Sequence, residues 1–384
     1  MKKVEVILKV SESCNLKCKY CYNGTEKLKT GFISLDKFEK FLKILQTGYD
    51  TIHIIWHGGE PLLAGVDFFR KALDIERKLS INGSVVIENS VQTNGTLIDD
   101  KWIRFFKENG VKVGISFDGI DNDKYRSSSK KILENMKALR AAGIRFGCNA
   151  VVADDDYSLK DNYEFFKSLG VSFDYSMVLY EGEATKNASL TPTLFAEKMT
   201  KLFDEWIYDT EGVSVRTFAT YLAMASGGGF RICSNCSCHT KYLSLSPEGV
   251  VYNCGRSNLS KYPFGQVDDF NSVKEIFSSK GAIDLISDSI KRREKCKNSC
   301  EYFNVCAGGC SDIAILENGL ENIPTNYCYV FKTVYKHVKD KYDEIIAKRI
   351  PLSKLNPAVK TVFAKKLAKT LPAISDETTR TYNV

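Results

Sequence analysis

The sequence predicts an α/β fold in which six parallel strands alternate with helices and a cysteine-rich region follows. Through about the first 180 residues, short runs rich in β-branched residues alternate with segments of helical hydrophobic periodicity. Nine of the 13 cysteines then fall between Cys233 and Cys328. The alternation favours a parallel sheet, either curved like part of a TIM barrel or opened as a doubly wound layer.

The predicted elements follow one another in a regular strand-helix order. Strand signals lie at Val4–Val10, Ile52–Trp56, Ser84–Val91, Val111–Phe117, Ile144–Val152 and Ser172–Leu179. Helical periodicity lies near Ser34–Leu45, Val66–Leu79, Asp99–Glu108, Lys130–Ala142, Ser158–Ser168, Leu194–Tyr208, Thr217–Ala225 and Tyr335–Ile346. Three glycines, Gly110, Gly143 and Gly170, are predicted to end three of these helices.

The chain divides into three predicted parts. Residues 1–226 form the strand-and-helix domain with its linking helices, and a glycine triplet marks the boundary. Residues 227–334 form a cysteine-rich domain, in which a hairpin of Tyr242–Leu245 and Val250–Asn253 delivers Cys254. Residues 335–384 form a helical tail, and the sequence leaves open whether the segment beyond Pro351 packs on the barrel or forms a dimer contact.

The composition predicts a cytoplasmic globular protein. Lys and Arg number 54 against 47 Asp and Glu, so the net charge is only +7, and the lysines are spread thinly. No window approaches the roughly 18 apolar residues of a membrane span, and Val4–Val10 is too short for a signal peptide. We therefore expect neither a nucleic-acid nor a membrane partner. Because a reducing compartment does not keep disulfides, 13 cysteines predict metal binding.

Three cysteines directly after the first predicted strand form the first candidate metal site. Cys14, Cys18 and Cys21 are separated by three and two residues, so their thiolates can converge from one tight loop. No histidine lies near them in the sequence to supply a fourth ligand. Three ligands favour an iron–sulfur cubane with one open iron, and a structural zinc site is the alternative at this point.

Four segments, in the same order along the chain, resemble the signature motifs of radical S-adenosylmethionine (SAM) enzymes. They are Cys14–Cys21, His57-Gly58-Gly59-Glu60-Pro61, Gln92-Thr93-Asn94-Gly95 and Ser116-Phe117-Asp118-Gly119. The resemblance implies a partial (β/α)6 TIM-like barrel whose active site gathers where the strands end. It also implies that Glu60 meets the SAM amino group, that Ser116 and Asp118 lie at the ribose, and that Arg126 meets the methionine carboxylate. The implied SAM-binding residues are Tyr20, Gly58, Gly59, Glu60, Thr93, Asn94, Ser116, Asp118 and Arg126.

The resemblance further implies the chemistry. SAM chelates the open iron, and the reduced cluster donates one electron that breaks a C–S bond and releases a 5′-deoxyadenosyl radical. That radical abstracts hydrogen from an unactivated C–H bond. Cys14, Cys18 and Cys21 are therefore the catalytic candidates, and a reductant such as flavodoxin or ferredoxin is an expected partner.

The later cysteines resemble the SPASM extension of radical SAM peptide-modifying enzymes. Their spacing departs from that pattern at one gap, where three residues instead of two separate Cys296 from Cys300. The resemblance implies two auxiliary clusters, and thus three 4Fe–4S clusters in all. The implied ligands are Cys233, Cys236, Cys254 and Cys310 for the first auxiliary cluster and Cys296, Cys300, Cys306 and Cys328 for the second.

Two cysteines remain outside these sets. Cys238 can take the place of Cys233 as a ligand of the first auxiliary cluster. Cys148 lies in a predicted strand and is expected to be a small buried hydrophobe. For the cysteine-rich block as a whole, a pair of zinc ribbons is the alternative.

The motifs also bear on the reaction. CNLKCKYCY, GGEPLLAG, QTNGTLID and SFDG are similar to anaerobic sulfatase maturases, whose general base is an Asp directly after the hairpin cysteine. Here Gly255 occupies that position and Arg256 follows, and a glycine accepts no proton. The segment Trp56–Leu63 instead resembles maturases of ribosomally synthesised peptides, including those that crosslink an aromatic ring to a neighbouring residue's β-carbon. This resemblance implies a maturase that forms an intramolecular C–C (cyclophane) or thioether crosslink in such a peptide. The alternatives are formylglycine formation, with Asp268 or Asp269 as the base, and a small-molecule dehydrogenase.

Overall fold

One mixed sheet organises the molecule. The computed structural model describes residues 2–24, 31–82, 85–227, 238–256 and 261–370. The strands in these residues are β1 Lys3–Ser11, β2 Thr51–Gly58, β3 Val86–Thr93, β4 Lys112–Ser116, β5 Phe146–Val152, β6 Phe173–Met177, β7 Tyr242–Leu245, β8 Val250–Tyr252 and β9 Gly265–Gln266. They form one sheet in the order β6-β5-β4-β3-β2-β1-β7-β8-β9.

The first six strands are parallel and neighbour one another in chain order. A doubly wound sheet reverses its strand order at a switch point, whereas this order does not reverse. The predicted α/β fold with a partial barrel is therefore confirmed. The helices are α1 Leu35–Leu45, α2 Gly65–Asn82, α3 Asp100–Asn109, α4 Asn122–Tyr125, α5 Ser129–Ala141, α6 Leu159–Ser168, α7 Ala184–Asn187, α8 Pro192–Trp206, α9 Arg216–Ala225, α10 Val273–Ser278, α11 Lys280–Ser299, α12 Phe303–Cys306, α13 Ser311–Glu317, α14 Asn326–Ala347 and α15 Pro357–Thr370.

Buried and half-buried residues alternate along the strands, and this pattern distinguishes an outer face of the sheet from an inner face. In β1, Val6 and Leu8 are buried, whereas Ile7 between them is half-buried. The outer face packs on helices: the ring of Trp56 in β2 lies 4.9 Å from that of Phe69 in α2, measured between centroids. The half-buried residues alternate with the buried ones and line the inner face of the barrel. The active-site residues lie on this face at the ends of the strands.

The hairpin of the cysteine-rich half joins the barrel through the same sheet. β7 pairs in parallel with β1, from Tyr242 opposite Glu5 to Leu245 opposite Leu8, and β8 pairs antiparallel with β7. The predicted hairpin is confirmed, but its pairing with β1 was not predicted, because strands so distant in sequence leave no local signal. The predicted domain boundary at residue 227 stays a prediction, since residues 228–237 lie outside the described ranges.

The C-terminal helices pack on the chain itself. α14 lies against α8 and α9, and α15 lies against α9. The backbone N–H of Asn356 donates to the carbonyl of Ile207 at 2.9 Å, and the rings of Tyr342 and Phe363 lie 5.4 Å apart. The described segment beyond Pro351 therefore packs on α9 and α14, the helices that follow the barrel, and a dimer contact stays a prediction. Among the helices of the described ranges, none combines the length and apolar character needed to cross a membrane.

The 20-residue helix α11 was not predicted. Its buried positions include Ser289, Arg292 and Cys296 as well as apolar residues, so its inward face is partly polar. Hydrophobic periodicity is a weak signal for such a helix. The helix therefore depends on tertiary contacts that only the folded chain provides.

A buried glutamate on the outer face of the barrel supplies a test of stability. Glu76 of α2 is 5% exposed, and its Oε2 accepts a hydrogen bond of 2.6 Å from Asn89 Nδ2. Burial raises the pKa of Glu76 from the ordinary 4.5 to about 8, and the Asn89 hydrogen bond opposes this shift only in part. The folded protein therefore holds one more proton than the unfolded chain between those pH values, and stability falls as pH rises from about 5 to about 8.

We predict that Glu76→Gln removes this loss, because an amide oxygen still accepts from Asn89 and cannot ionise. Relative to wild type, the variant should gain about 1–4 kcal/mol in the free energy of unfolding between pH 5 and pH 8. Denaturant titrations at the two pH values measure the difference. Glu134→Gln, at an exposed position of α5, should follow wild type at both. A Glu76→Gln variant with the same pH dependence as wild type would contradict a neutral buried Glu76.

Candidate active site

The three cysteines of the N-terminal motif lie on one loop that follows β1. Cys18 is buried, whereas Cys14 and Cys21 are half-buried. The loop turns tightly, since the N–H of Cys21 donates to the carbonyl of Cys18 at 3.1 Å. Burial raises the pKa of all three thiols, and the positive charge of Arg126 opposes the shift at each of them. The guanidinium of the half-buried Arg126 therefore acts electrostatically on all three cysteines of the loop.

A buried triad anchors this loop to the ends of β4 and β5. Arg126 Nη1 donates to the Tyr20 hydroxyl at 2.9 Å, and that hydroxyl donates to Asp118 Oδ2 at 2.5 Å. Asp118 Oδ1 accepts from the backbone N–H of Val151 at 2.9 Å. Both carboxylate oxygens of Asp118 thus serve the protein itself, whereas Arg126 Nε is buried with no partner among the described residues. Asp118 therefore anchors the loop, whereas the Nε–H of Arg126 is a donor without a partner among the described residues.

The segment after β6 closes on the same loop. The backbone N–H of Glu183 donates to the carbonyl of Cys21 at 3.0 Å, and Asn187 Nδ2 donates to the carbonyl of Lys19 at 3.0 Å. Gly182 has φ +57°, and a Cβ placed there would overlap the backbone oxygens of Cys21 and Tyr22. Because β1 and β6 lie five places apart in the sheet, these contacts bridge the cysteine end of the open barrel.

The glycine pair after β2 makes room for the start of the cysteine loop. Gly58 has φ +121°, and a Cβ on it would overlap the carbonyl oxygen of Ser11. A Cβ on Gly59 would overlap the carbonyl oxygen of Ser13 in the same way. The backbone N–H of Gly59 donates to the carbonyl oxygen of Ser11 at 2.8 Å, and the backbone N–H of Glu60 donates to the carbonyl oxygen of Ser13 at 2.9 Å. These glycines therefore allow two strand ends to approach each other closely, a contact that sequence analysis did not foresee.

Glu60 is the hub of the site. Its carboxylate is fully buried and accepts from the Thr93 hydroxyl at 2.8 Å, the Asn94 N–H at 2.7 Å and the Leu62 N–H at 3.0 Å. Burial raises the pKa of Glu60, and these hydrogen bonds act against the shift. Asn94 in turn donates to Asn15 in the cysteine loop at 2.9 Å. The predicted residues Glu60, Thr93 and Asn94 thus lie together, because the Glu60 carboxylate binds the Thr93 hydroxyl and the Asn94 backbone N–H.

Ser116 is held from a neighbouring strand. Gln92 Nε2 donates to Ser116 Oγ at 2.9 Å. The amide of Gln92 fills the space above Gly114, where a Cβ would overlap Gln92 Oε1. The hydroxyl of Ser116 is therefore oriented on the inner face at the end of β4.

His57 is a site residue to which sequence analysis assigned no role of its own. It is half-buried, and its Nδ1 accepts from the N–H of Gly58 at 2.8 Å. Burial and the positive charges of Lys9 and Arg256 lower the pKa of His57 to about 4. The ring is therefore neutral at physiological pH with its proton on Nε2, and it offers one N–H donor on the inner face. Its position directly before the glycine pair was the available signal.

A second cysteine site lies in the C-terminal half. The four cysteines predicted to bind the second auxiliary cluster line a single cavity, together with Ser299, Phe303, Gly308, Ile323, Phe331 and Lys332. The four are Cys296, Cys300, Cys306 and Cys328. They come from α11, α12, α14 and the start of the loop after α11, so the fold brings distant segments to one place.

The other predicted ligand set is described only in part. Cys254 and Cys310 lie close enough for their charges to interact, and burial raises the pKa of Cys254 to about 12. Cys233 and Cys236 lie outside the described residues. Cys238 is described, and its carbonyl accepts from Asn253 Nδ2 at 3.2 Å, beside Cys254. The choice between Cys233 and Cys238 therefore stays a prediction.

The remaining candidates have structural partners. Cys148 is 5% exposed within the core, as predicted. Arg256 Nη1 donates to Asp312 at 3.1 Å, and the Asp312 side chain is fully buried. Asp268 and Asp269 are exposed beyond β9, and Asp269 accepts from the N–H of Gln266 at 2.9 Å. Neither of these two aspartates lies buried beside Cys254.

The number of thiols at each of the two sites matches a ligand count of an iron–sulfur cluster. Within the described ranges, no three His, Cys, Asp or Glu side chains are arranged to hold one metal ion. In a cubane each thiolate binds a different iron, so the sulfurs stay farther apart than around one ion. The N-terminal loop offers three thiols and the C-terminal cavity offers four, and these counts fit a cluster with an open iron and a fully ligated cluster.

Comparison with known proteins agrees with this geometry. The profile described as Radical SAM superfamily matches residues 8–167, which hold β1 to α6 and the first cysteine loop. The cysteine-type anaerobic sulfatase-maturating enzyme of Clostridium novyi (strain NT) is 30% identical over 365 residues, covering 88% of this chain and 95% of that enzyme. The chain belongs to the radical SAM superfamily and, within it, to the family that includes the anaerobic sulfatase-maturating enzymes.

The chain is also similar to solved structures in its three-dimensional fold. Native anSMEcpe with bound AdoMet and Cp18Cys peptide is 27% identical, with a TM-score of 0.78, covering 91% of this chain and 100% of that one. Streptococcus suis SuiB bound to precursor peptide SuiA is 16% identical, with a TM-score of 0.64, covering 85% of this chain and 76% of that one. The second likeness supports the fold alone. Membership of the superfamily implies SAM and a 4Fe–4S cluster as cofactors.

We predict that Gly182→Ala disrupts the cysteine loop, because its Cβ would displace the backbone at Cys21. Iron bound per chain after anaerobic reconstitution should fall by about a third, and 5′-deoxyadenosine release should fall at least about tenfold. Gly143→Ala is the matched control: it has φ +75° but no atom within 4 Å of the added Cβ. Both variants share the cost of a left-handed alanine, about 1–2 kcal/mol, so only the clash differs. Equal iron content in the two variants would contradict the role of this contact.

Proposed function

We propose that the protein cleaves SAM at a cluster held by Cys14, Cys18 and Cys21 and uses the resulting radical to oxidise a peptide. The supporting observation is that these cysteines lie beside the buried hub of Glu60, Thr93 and Asn94, at the ends of parallel strands. When bound, the reduced cluster and SAM supply a 5′-deoxyadenosyl radical that removes hydrogen from a C–H bond.

The chain's own residues would bind and orient SAM. The carboxylate of Glu60 is occupied by the protein, so we assign the SAM amino group to the backbone carbonyls of residues 58–60 and give Glu60 a positioning role. The half-buried Arg126, whose buried Nε has no partner among the described residues, fits the methionine carboxylate. The hydroxyl of Ser116, oriented by Gln92, fits the ribose.

A peptide is the proposed substrate. The solved relative at 27% identity holds both AdoMet and a peptide, and the chain covers its full length. In this protein, neutral His57 presents an N–H donor on the inner face, which suits a substrate carbonyl. The predicted reductant, an acidic one-electron carrier of the flavodoxin or ferredoxin type, is the proposed source of the electron.

The proposed product is a crosslink within the peptide. The position of the sulfatase maturases' base is Gly255, and a Cβ there would lie 2.6 Å from Ile7 Cγ2, so a side chain requires Ile7 to move. Arg256, which follows, pairs with Asp312. With no carboxylate at residue 255, we favour loss of two hydrogens with C–C or C–S bond closure over formation of an aldehyde. Formylglycine formation is the second candidate, and the similarity to sulfatase-maturating enzymes favours it.

We propose two auxiliary clusters as the route for the second electron. The second one would be bound by the four cysteines that line the C-terminal cavity. The first would use Cys254 and Cys310, with Cys236 and Cys233 or Cys238. Three 4Fe–4S clusters per chain follow from these sets.

We predict that the wild-type protein binds about twelve irons per chain after anaerobic reconstitution and that the triple variant Cys14→Ala, Cys18→Ala, Cys21→Ala binds about eight. The triple variant should release no 5′-deoxyadenosine on reduction with SAM, because it lacks the ligands of the SAM-binding cluster. Cys148→Ala should match wild type in both respects. Iron analysis and chromatography measure the two quantities. Deoxyadenosine from the triple variant, or about four irons with zinc in wild type, would contradict the cluster assignments.

We predict that the reduced enzyme does not convert the Cp18Cys peptide to an aldehyde product. With short peptides encoded beside its gene, it should produce a loss of about 2 Da that a hydrazide reagent does not label. Tandem mass spectrometry should show fragmentation suppressed between the joined residues, since a ring must break twice to separate. A hydrazide-labelled product from either peptide, fragmenting freely at the modified residue, would support formylglycine formation instead.

A further inference from the structure

The four-cysteine cavity of the C-terminal half contains a lysine. Lys332 lines this cavity with Cys296, Cys300, Cys306 and Cys328. It lies on α14 four residues after Cys328, so both side chains emerge on one face of the helix. Its charge lowers the pKa of Cys328 against the raising effect of burial, which places the ammonium within electrostatic reach of that thiol.

Lys332 differs from the other lysines of its helix. Lys336 pairs with Asp340 at 2.6 Å, and Lys339 pairs with Asp343. Lys332 is half-buried and makes no ion pair or hydrogen bond with any residue in the described ranges. The carboxylate of Glu317 also acts on Cys328, but its oxygens accept from the N–H groups that begin α14. The charge of Lys332 thus acts on Cys328 more strongly than the opposing charge of Glu317 does, and no carboxylate in the described ranges forms an ion pair with Lys332.

A second cation lies behind the wall of the cavity. Arg292 is fully buried, and its Nε donates to the carbonyl of Gly308 at 2.9 Å, while Nη2 donates to Ser311 Oγ at 3.0 Å. Gly308 lines the cavity between Cys306 and Cys310. Arg292 therefore fixes the turn that carries these two cysteines, and it brings a buried charge to the outer side of that turn. Buried cations are stabilised by nearby anions.

We propose that Lys332, supported by Arg292, makes this cavity an electropositive redox site that raises the reduction potential of the cluster bound there. The proposal rests on the proposed function for the identity of the cluster and its ligands. A 4Fe–4S cluster becomes one charge more negative when it is reduced, so a fixed positive charge nearby favours the reduced form. Two cations at the site would make the cluster a better electron acceptor.

The electron in question comes from the substrate. After one hydrogen atom has passed to the 5′-deoxyadenosyl radical, the substrate radical forms its new bond and loses one proton and one electron. The proton would pass to solvent, and the electron would pass to the oxidised cluster that Cys296, Cys300, Cys306 and Cys328 would hold. An external one-electron acceptor would then take that electron and return the cluster to its oxidised form. The charge of Lys332 favours the transfer from substrate to cluster.

The test uses the full chain with Cys14→Ala, Cys18→Ala and Cys21→Ala, so that only the auxiliary clusters give an electron paramagnetic resonance signal. The solution potential is set so that half of the auxiliary cluster with the higher reduction potential is reduced in the parent protein. At that potential, Lys332→Met should lower the reduced-to-oxidised ratio of this cluster about tenfold. For one electron this corresponds to about 59 mV. Lys332→Arg keeps the charge, and Lys336→Met removes a charge from the exposed side of the same helix. Both should stay within about twofold of the parent.

The outcomes distinguish the role proposed for Lys332 from the cluster assignment on which it rests. An unchanged ratio in Lys332→Met, at unchanged iron content, overturns the proposal and leaves the cluster assignment intact. Absence of iron in the parent triple variant overturns both. Loss of auxiliary iron in Lys332→Met that Lys332→Arg does not share supports a requirement for the charge. Loss shared by both variants contradicts it, because the site would then depend on the shape of lysine.

Discussion

The buried carboxylate of Glu60 is the interaction on which the active site depends. It accepts hydrogen bonds from the residues that end β3, while its own N–H donates to Ser13 in the cysteine loop after β1. One residue after β2 therefore joins three strand ends. An isolated buried carboxylate is costly, and this one is stabilised by three donors that the parallel register places within reach. The cysteine loop acquires a defined position because these strand ends are tied together.

The other side of the loop is held by the remaining strands. Asp118 after β4 binds Tyr20 of the loop and Val151 of β5, and Gly182 after β6 lets the chain pass against the carbonyl of Cys21. All six parallel strands thus contribute to the place where the three thiols meet. The pairing of β7 with β1 adds the hairpin to the same sheet, so that Cys254 is delivered from the sheet that also carries the N-terminal loop.

Local patterns in the sequence predicted most of the strands and helices. They did not predict contacts between residues that are distant in the sequence. The six strands and the hairpin were predicted closely because strand periodicity is local, and the motif residues were placed at strand ends for the same reason. The inward turn of the Glu60 carboxylate toward Thr93, the clash that requires Gly182, and the position of Lys332 depend on loops and helices distant in sequence. Helix α11 was missed because its buried face carries Arg292 and Ser289. Such contacts are consequences of tertiary packing, which single-sequence periodicity does not contain.

The most direct test of the central claim is whether SAM binds the open iron of the cluster in the N-terminal loop. Electron–nuclear double resonance on the reduced protein, with SAM labelled at the methionine amino nitrogen and carboxylate oxygens, measures this contact. We predict hyperfine coupling of both labels to the cluster in wild type. We predict that Arg126→Leu weakens the carboxylate coupling more than the amino coupling, because the guanidinium of Arg126, with its buried Nε, is assigned to the carboxylate. Tight binding of labelled SAM without coupling of either label would contradict an open iron held by Cys14, Cys18 and Cys21.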